Sequence, residues 1–210
     1  MSAQTSLLIL GAMLIFIVSG AVYVNFRNLR HLKILIQNLR ISTNIPRYWG
    51  GVLGGFRTVQ GTYDGHEVLL GTEGDEEDIV LRIRFTTPCE ASFYVTSDTR
   101  IWERVISQPL FKKWHEYHVP EAEKAYQTIR YTAKRESIPT IRSSGLLERL
   151  SELVNVLAPY EGHFYINEWE VKMKFPSEAK LEEDVLEAGC QVGDFICSLP
   201  LVGERSNKDG

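Results

Sequence analysis

The segment "WHEYH" holds the residues of this chain that come closest to a metal centre. Zinc peptidases place two histidines four residues apart on a helix, with a glutamate between them as the base. Here His115 and His118 are only three residues apart, and no further ligand lies close in sequence. We therefore interpret them as partly exposed histidines near a sheet edge, and "FKKWHEYH" as a surface turn.

The glycine pairs of "RYWGGVLGGF" invite comparison with phosphate-binding loops. Gly50 and Gly55 have the separation of such a loop, but Phe56-Arg57 follows where the loop requires Lys and Ser or Thr. The spacing of a dinucleotide-binding fingerprint is missing as well. The pattern instead predicts a close-packed connector over residues 47–56, in which Tyr48 and Trp49 suit the interface between lipid and water.

Three other chemistry-bearing groups lack the order that a site requires. The run "EGDEED" over 73–78 has five carboxylates in six residues but not the alternation of a calcium loop, which indicates a solvated turn. Ser143-Ser144-Gly145 is typical of a helix cap, and no nucleophile elbow occurs. Cys89, Cys190 and Cys197 have no catalytic context, so we interpret them as small buried hydrophobes.

These patterns predict no catalytic residue, no metal ligand and no cofactor. They favour a protein that is not an enzyme. Active sites assemble from residues that are distant in sequence, so a membrane-tethered enzyme is kept as an alternative.

Charge divides the chain into a basic head and an acidic body. Six of the 23 basic residues precede the first acidic residue, Asp64, which leaves 17 basic residues against 27 acidic ones from there on. An acidic body does not suit nucleic acid, because phosphate recognition needs clustered Lys and Arg.

The head contains an uncharged segment, "LLILGAMLIFIVSGAVYV", over residues 7–24. Eighteen helical residues span about 27 Å, close to the hydrocarbon thickness of a bilayer. A cleaved signal peptide and a buried core helix are the competing interpretations. The segment before it carries no Lys or Arg, which is atypical of a signal peptide. We expect a single transmembrane anchor over residues 1–26.

Positive flanks stay in the cytoplasm, and the cations follow the apolar segment. The predicted topology therefore has the N-terminus outside and the body in the cytoplasm. An odd number of cysteines without close spacing agrees with a reducing compartment.

A basic amphipathic helix is predicted over residues 27–46. Apolar residues recur at helical spacing from Leu29 to Leu39, and Pro46 ends the pattern. Two interpretations stay open: the helix lies in the headgroup region, or it packs on protein. The predicted membrane-surface residues are Arg27, Arg30, Lys33, Arg40, Tyr48 and Trp49.

Alternating apolar residues predict strands in the body. Asp64-Gly65 separates two extended runs and indicates a type I′ hairpin. In "DIVLRIRFTT", alternate residues from Ile79 to Phe85 share one face. "FYINEWEVKMKF" is predicted as one strand, with these residues on one face: Tyr165, Trp169, Val171, Met173 and Phe175.

Two clear helical patterns follow. "GLLERLSELVNVL" predicts a helix capped by Ser143 or Ser144, and a second helix is predicted after Pro176 with Ser177 as its N-cap. A shorter helix is expected near Ile101–Ile106.

The predicted fold is α+β. It begins with an N-terminal transmembrane helix, which is followed by a mostly antiparallel sheet of five to six strands with two to three helices on one face. The sheet and these helices form a soluble domain over 57–200, and a flexible tail follows over 201–210.

The function predicted from these features is a non-enzymatic module for protein interaction or assembly, held at the membrane. Its expected partners are the lipid bilayer and either another protein or a second copy of the chain. A module that binds lipid or a small ligand at the membrane surface is the alternative to it, besides the enzyme.

Overall fold

Antiparallel strand pairing dominates the computed structural model of this chain. The structure describes residues 13–16, 18–20, 23, 30–43, 58–73, 78–85, 93–98, 102, 115–118, 129–167 and 169–199. The predicted connector over 47–56 and the tail over 201–210 lie outside these residues, as does most of the helix predicted near Ile101.

One antiparallel sheet contains eight strands, in the order β1-β2-β3-β8-β7-β4-β6-β5. Their bounds are β1 Val59–Tyr63, β2 His66–Glu73, β3 Asp78–Arg84, β4 Phe93–Thr96, β5 His115–His118, β6 Arg130–Ala133, β7 His163–Ile166 and β8 Glu170–Phe175. The predicted α+β class with an antiparallel sheet is confirmed. The predicted strand number was too low, because His115–His118 form β5 in a segment that was predicted as a surface turn, and "FYINEWEVKMKF" contains two strands instead of one.

The first hairpin has the predicted turn. Asp64 and Gly65 both have positive φ angles, 47° and 84°, as a type I′ turn requires at its two central positions. The turn sets Tyr63 opposite His66 and Val59 opposite Leu70. The buried side chains of β1 and β2 therefore face the same side of the sheet.

The segment predicted as one long strand is a hairpin, because Asn167 makes a turn within it. The side chain Oδ1 of Asn167 accepts hydrogen bonds from the backbone N–H groups of Trp169 at 2.8 Å and Glu170 at 3.0 Å. Trp169 is 57% exposed at the turn, and Tyr165 pairs with Lys172 on the polar face. The predicted apolar face was therefore wrong for Tyr165 and Trp169, while the other three residues are buried in the core.

Helix α2 spans Ile138–Ser143, and α3 spans Leu146–Leu157 as the sequence predicted. The N-cap of α3 is Gly145 with φ 79°, not a serine. Ser144 assists it, because its Oγ accepts the N–H of Leu146 at 3.2 Å.

Helix α4 spans Glu183–Ser198 and so starts six residues after the predicted N-cap, Ser177. A turn precedes it, closed by the N–H of Ala179 donating to the carbonyl of Pro176 at 3.0 Å. Gly189 lets α4 approach β3 and β8 closely: a Cβ there would lie 2.5 Å from Cδ1 of Ile83 and 2.7 Å from Cε of Met173. α3 packs beside α4, on the same apolar face of the sheet.

Residues 30–38 form helix α1, which belongs to the same core. Leu32, Leu35 and Leu39 are each at most 1% exposed. Helix α1 ends well before Pro46, the residue that was predicted to end it. Arg40 adopts a left-handed conformation with φ 51°, and Ile41 donates its N–H to the carbonyl of Ile36 at 3.1 Å, the bond of a Schellman motif.

After α1 the chain joins the edge of the sheet. Ser42 and Thr62 form an antiparallel bridge, in which each N–H donates to the other's carbonyl at 2.8 Å. Gly61 makes this close approach possible, since an added Cβ would lie 2.4 Å from Cγ2 of Ile41 and 2.8 Å from the carbonyl oxygen of Ser42. Backbone bonding and core packing thus fix α1 to β1.

We expect Gly61→Ala to lower the free energy of unfolding by about 1–3 kcal/mol, because the carbonyl of Ser42 belongs to the bridge and cannot yield without breaking it. The measurement is chemical denaturation of the detergent-solubilised full chain. Gln60→Ala, at an exposed site on the same strand, is the control and should change stability by less than about 0.5 kcal/mol. Equal stability of the two variants would show that α1 is not held to β1 in this way.

Candidate functional site

The outward face of α1 is the strongest candidate for a contact with a partner. Its inward face is occupied by the core, whereas Arg30 and Lys33 are exposed and Ile34 is 45% exposed. Residues three and four apart share a helix face, so these three side chains lie together. The surface combines two cations with one aliphatic side chain.

The structure brings together only part of the predicted membrane-surface set. Arg40 turns away from the outward face and pairs through Nη1 with Oε2 of Glu183 at 3.0 Å, at the start of α4. Arg27, Tyr48 and Trp49 lie outside the described residues.

Upstream of α1, residues 13–16 and 18–20 are helical. Four consecutive apolar side chains there, Met13 to Phe16, are between 61% and 81% exposed. Across the residues that the structure describes, no helix combines the length and the apolar character that a bilayer crossing needs. Most of the predicted anchor over 1–26 lies outside those residues.

A second group of polar side chains lies on the face of the sheet opposite the helices. The hydroxyl of Tyr165 donates to Oδ2 of Asp98 at 3.0 Å, and the backbone N–H of Asp98 donates to Oγ1 of Thr96 at 3.0 Å. Thr96 lies opposite Tyr165 in the pairing of β4 with β7, and it is 1% exposed. This polar group is therefore built into the sheet and partly removed from water.

Two ion pairs extend this polar face across β3 and β8. Lys172 donates to Glu73 at 2.5 Å and lies 5.7 Å from the ring centroid of Tyr165, and Lys174 pairs with Asp78 at 2.8 Å. The hydrogen bond from Lys172 lowers the pKa of Glu73. The two ends of the acidic run over 73–78 are thus paired with lysines of the neighbouring part of the sheet.

The electrostatics of this face favour hydrogen bonding over acid–base chemistry. Burial raises the pKa of Tyr94 to about 12, and the nearby charge of Asp98 adds to that shift. The pKa of Tyr165 is raised further, again by burial and by Asp98. Both phenols therefore stay protonated at neutral pH, and that of Tyr165 acts as a hydrogen-bond donor to Asp98, not as a base or nucleophile.

The thiol of Cys190 is also unsuited to nucleophilic chemistry. Its side chain lies in the core at 5% exposure, and burial raises its pKa to about 12. The carboxylates of Asp194 and Asp64 raise the pKa in the same direction. Because the thiolate is the reactive form, this cysteine serves as a buried apolar side chain.

The histidines are not gathered into one centre. His115 and His118 lie on β5, the last strand of the sheet, and His163 lies on β7. His66 is 3.3 Å from Asp194, measured from Nε2 to Oδ1. Within the described part of the chain, no three His, Cys, Asp or Glu side chains are grouped as metal ligands.

Sequence reasoning missed the contact between Tyr165 and Asp98. The two residues are 67 positions apart, and the tyrosine had been placed on the apolar face. The local signal that could have corrected this is Asn167, which is a common turn residue between two alternating runs.

Comparisons with known proteins show one distant similarity. No protein-family model matches the chain, and no curated protein sequence matches it significantly. Among solved structures, the chain is similar to the crystal structure of the mycobacterial trehalose monomycolate transport factor A, TtfA, with a TM-score of 0.46 and 11% sequence identity over 81% of this chain and 96% of that one. This similarity is too distant to support a statement about function.

We expect the protein to lose stability as the pH rises above about 10, the ordinary pKa of a phenol. The unfolded chain releases its phenol protons near that pH, whereas Tyr94 keeps its proton to about 12 in the folded chain. The folded state then binds more protons, so further increase in pH favours unfolding. The measurement is the free energy of unfolding between pH 8 and about 11.5.

The double variant Tyr94→Phe and Tyr165→Phe should lose less stability over this pH range than the original chain. The control is the ultraviolet titration of the urea-unfolded chain, in which the nine tyrosines should ionise together near pH 10. An identical alkaline loss in both proteins would mean that the pKa values of these two phenols are not raised in the folded chain.

Proposed function

We propose that this chain is a single-pass membrane-anchored protein whose cytoplasmic α+β domain is a non-enzymatic module for protein interaction or assembly. The observation that supports the anchor most directly is the exposure of four consecutive apolar side chains, Met13 to Phe16, on a helical segment. These residues belong to an uncharged run of eighteen, Leu7 to Val24.

Exposure of this kind is costly in water. Each square ångström of apolar surface left in water costs about 25 cal/mol, and a large aliphatic side chain costs about 1.5–3 kcal/mol. Phe16 at 81% exposed and Ile15 at 68% have no cover in the part of the chain that the structure describes. A bilayer supplies such cover, and the length of the uncharged run suits its thickness.

The proposed orientation rests on charge. Arg30 and Lys33 follow the apolar run and are exposed, and no Lys, Arg, Asp or Glu precedes the run. Cations that flank a span remain on the cytoplasmic side. Cys190 and Cys197 are both free thiols, which suits the reducing cytoplasm.

The preference for a non-enzymatic role rests on how the reactive groups are used. The phenol of Tyr165 donates to Asp98, the Cys190 thiol is protonated, and the lysines of β8 are paired with Glu73 and Asp78. The alternatives are a module that binds lipid or a small ligand at the membrane surface, and a membrane-tethered enzyme.

Replacing Ile15 and Phe16 together by lysine should release the protein from the membrane. Each charge at the centre of a span costs about 2.5–3.5 kcal/mol, so the pair opposes insertion by roughly 5–7 kcal/mol. The measurement is the fraction of the full chain that resists alkaline carbonate extraction of cell membranes.

The matched control places two lysines on the body instead, at Asn155 on α3 and Gln191 on α4, which are both exposed. This control should stay in the membrane fraction. In the same cells, protease added from outside should spare the body, and its digestion would reverse the proposed orientation. Extraction of the original chain by carbonate would contradict the anchor.

Affinity purification from detergent-solubilised membranes should recover a second protein, or a second copy of the chain, in a fixed ratio. The measurement is the mass of the purified particle by light scattering, combined with mass spectrometry of its components. A particle that contains one copy of the chain with a defined lipid or small molecule would favour the ligand-binding alternative over the interaction module.

A further inference from the structure

The apolar face of the amphipathic helix α1 is packed against the core of the domain. Leu32, Leu35 and Leu39 are at most 1% exposed and belong to the core. These leucines are already buried, so transferring them into lipid would bury no additional apolar surface. The transfer would also leave a cavity in the domain, which would lower its stability further. Any contact between α1 and a bilayer must therefore use the outward face.

The outward face has the composition of a headgroup contact. Arg30 and Lys33 are exposed, and neither forms an ion pair within the part of the chain that the structure describes. Ile34, which follows Lys33 and lies one turn along the helix from Arg30, is 45% exposed. Long cationic side chains reach phosphate oxygens while a neighbouring aliphatic side chain enters the boundary with the acyl chains.

The distance from the proposed anchor suits this contact. Six positions separate Val24, the last residue of the apolar run, from Arg30. This is about 9 Å of helix or about 20 Å of extended chain. The headgroup layer of one leaflet is roughly 5–7 Å thick, so a helical connection places the backbone of Arg30 a few ångströms beyond it, within reach of the long guanidinium side chain. An extended connection permits the same position but does not enforce it.

The C-terminal end of α1 lies beside acidic residues and does not favour contact with an anionic surface. Arg40 is paired with Glu183, and the first turn of α4 also contains Asp184. These carboxylates would be repelled by an anionic surface. Ten positions, most of them in α1, separate Arg40 from Arg30 by about 15 Å, more than the Debye length of about 8 Å in physiological salt.

We propose that the outward face of α1 binds the anionic headgroups of the bilayer, with Arg30 and Lys33 as the phosphate contacts, Ile34 beside them, and Arg40 excluded. This inference rests on the proposed membrane anchor. It gives α1 two separate roles: the inward face holds the domain together, and the outward face holds the domain to the lipid surface.

The test uses the full chain in nanodiscs of phosphatidylcholine, alone or mixed with phosphatidylglycerol. A polarity-sensitive dye is attached to the outward face through Gln37→Cys. Cys89 and Cys197 are replaced by serine so that they do not react with the dye, and Cys190 is buried. The dye should shift to shorter wavelength in the mixed nanodiscs, and the shift should decrease as salt is added.

Neutralising the cations should remove this response. Arg30→Gln and Lys33→Gln should each weaken the preference for anionic lipid by about fivefold. Both side chains are exposed, so circular dichroism and thermal unfolding should be unchanged. Arg40→Gln is the matched control, because it removes the same charge ten positions along the chain and should leave the lipid preference intact.

Two outcomes would overturn the inference. One is a dye signal that is equal in neutral and anionic nanodiscs and is unaffected by Arg30→Gln or Lys33→Gln, while the chain still resists carbonate extraction. The anchor then stands without the headgroup contact. The other is a shift in detergent alone that grows with protein concentration, which would assign this face to a second copy. Failure of the chain to enter nanodiscs would instead contradict the anchor itself.

Discussion

The burial of the inward face of α1 is the constraint on which the rest of the structure depends. Leu32 and Leu35 of this helix and Leu39 directly after it lie in the same core as the strands and α4. The chain that follows bonds to the edge of β1 through Ser42 and Thr62. Burial of a leucine contributes about 1.5–3 kcal/mol, so the three leucines together are comparable with the whole net stability of an ordinary domain. The segment next to the apolar run is therefore a part of the fold and not a separable tether.

This constraint also limits how the body can be placed. A flexible linker would leave the domain free to rotate, whereas a helix fixed by packing, by a Schellman motif and by a backbone bridge transmits its direction to the sheet. Bridging at Ser42 further occupies part of the free edge of β1, which would otherwise present unpaired N–H and C=O groups to another chain. The bridge between Ser42 and Thr62 therefore both holds α1 to the sheet and protects this edge.

The sequence predicted the local features well and the long-range ones poorly. The hairpin at Asp64-Gly65, the alternation of β3 and the bounds of α3 follow from turn chemistry and from periodicity, which act over a few residues. The single strand over 164–175 was wrong because alternation continues through a turn whose residues keep the same period. For the same reason Tyr165 was placed on the wrong face, and its hydrogen bond to Asp98 could not be anticipated.

For the candidate site as well, the composition of the sequence was informative, whereas the contacts of each side chain could not be predicted from it. Composition predicted a basic helix beside the apolar run, and it could not decide between lipid and protein as the neighbour of that helix. The three-dimensional contacts divide the helix: its leucines face protein, while Arg30 and Lys33 face outward. Arg40 has the same charge and follows the same helix, but a left-handed backbone conformation at the helix end aims it at Glu183. The predicted membrane-surface set therefore groups Arg40, which is paired with Glu183, with Arg30 and Lys33, which face outward. The sequence shows the charge of each residue, whereas its direction depends on the backbone.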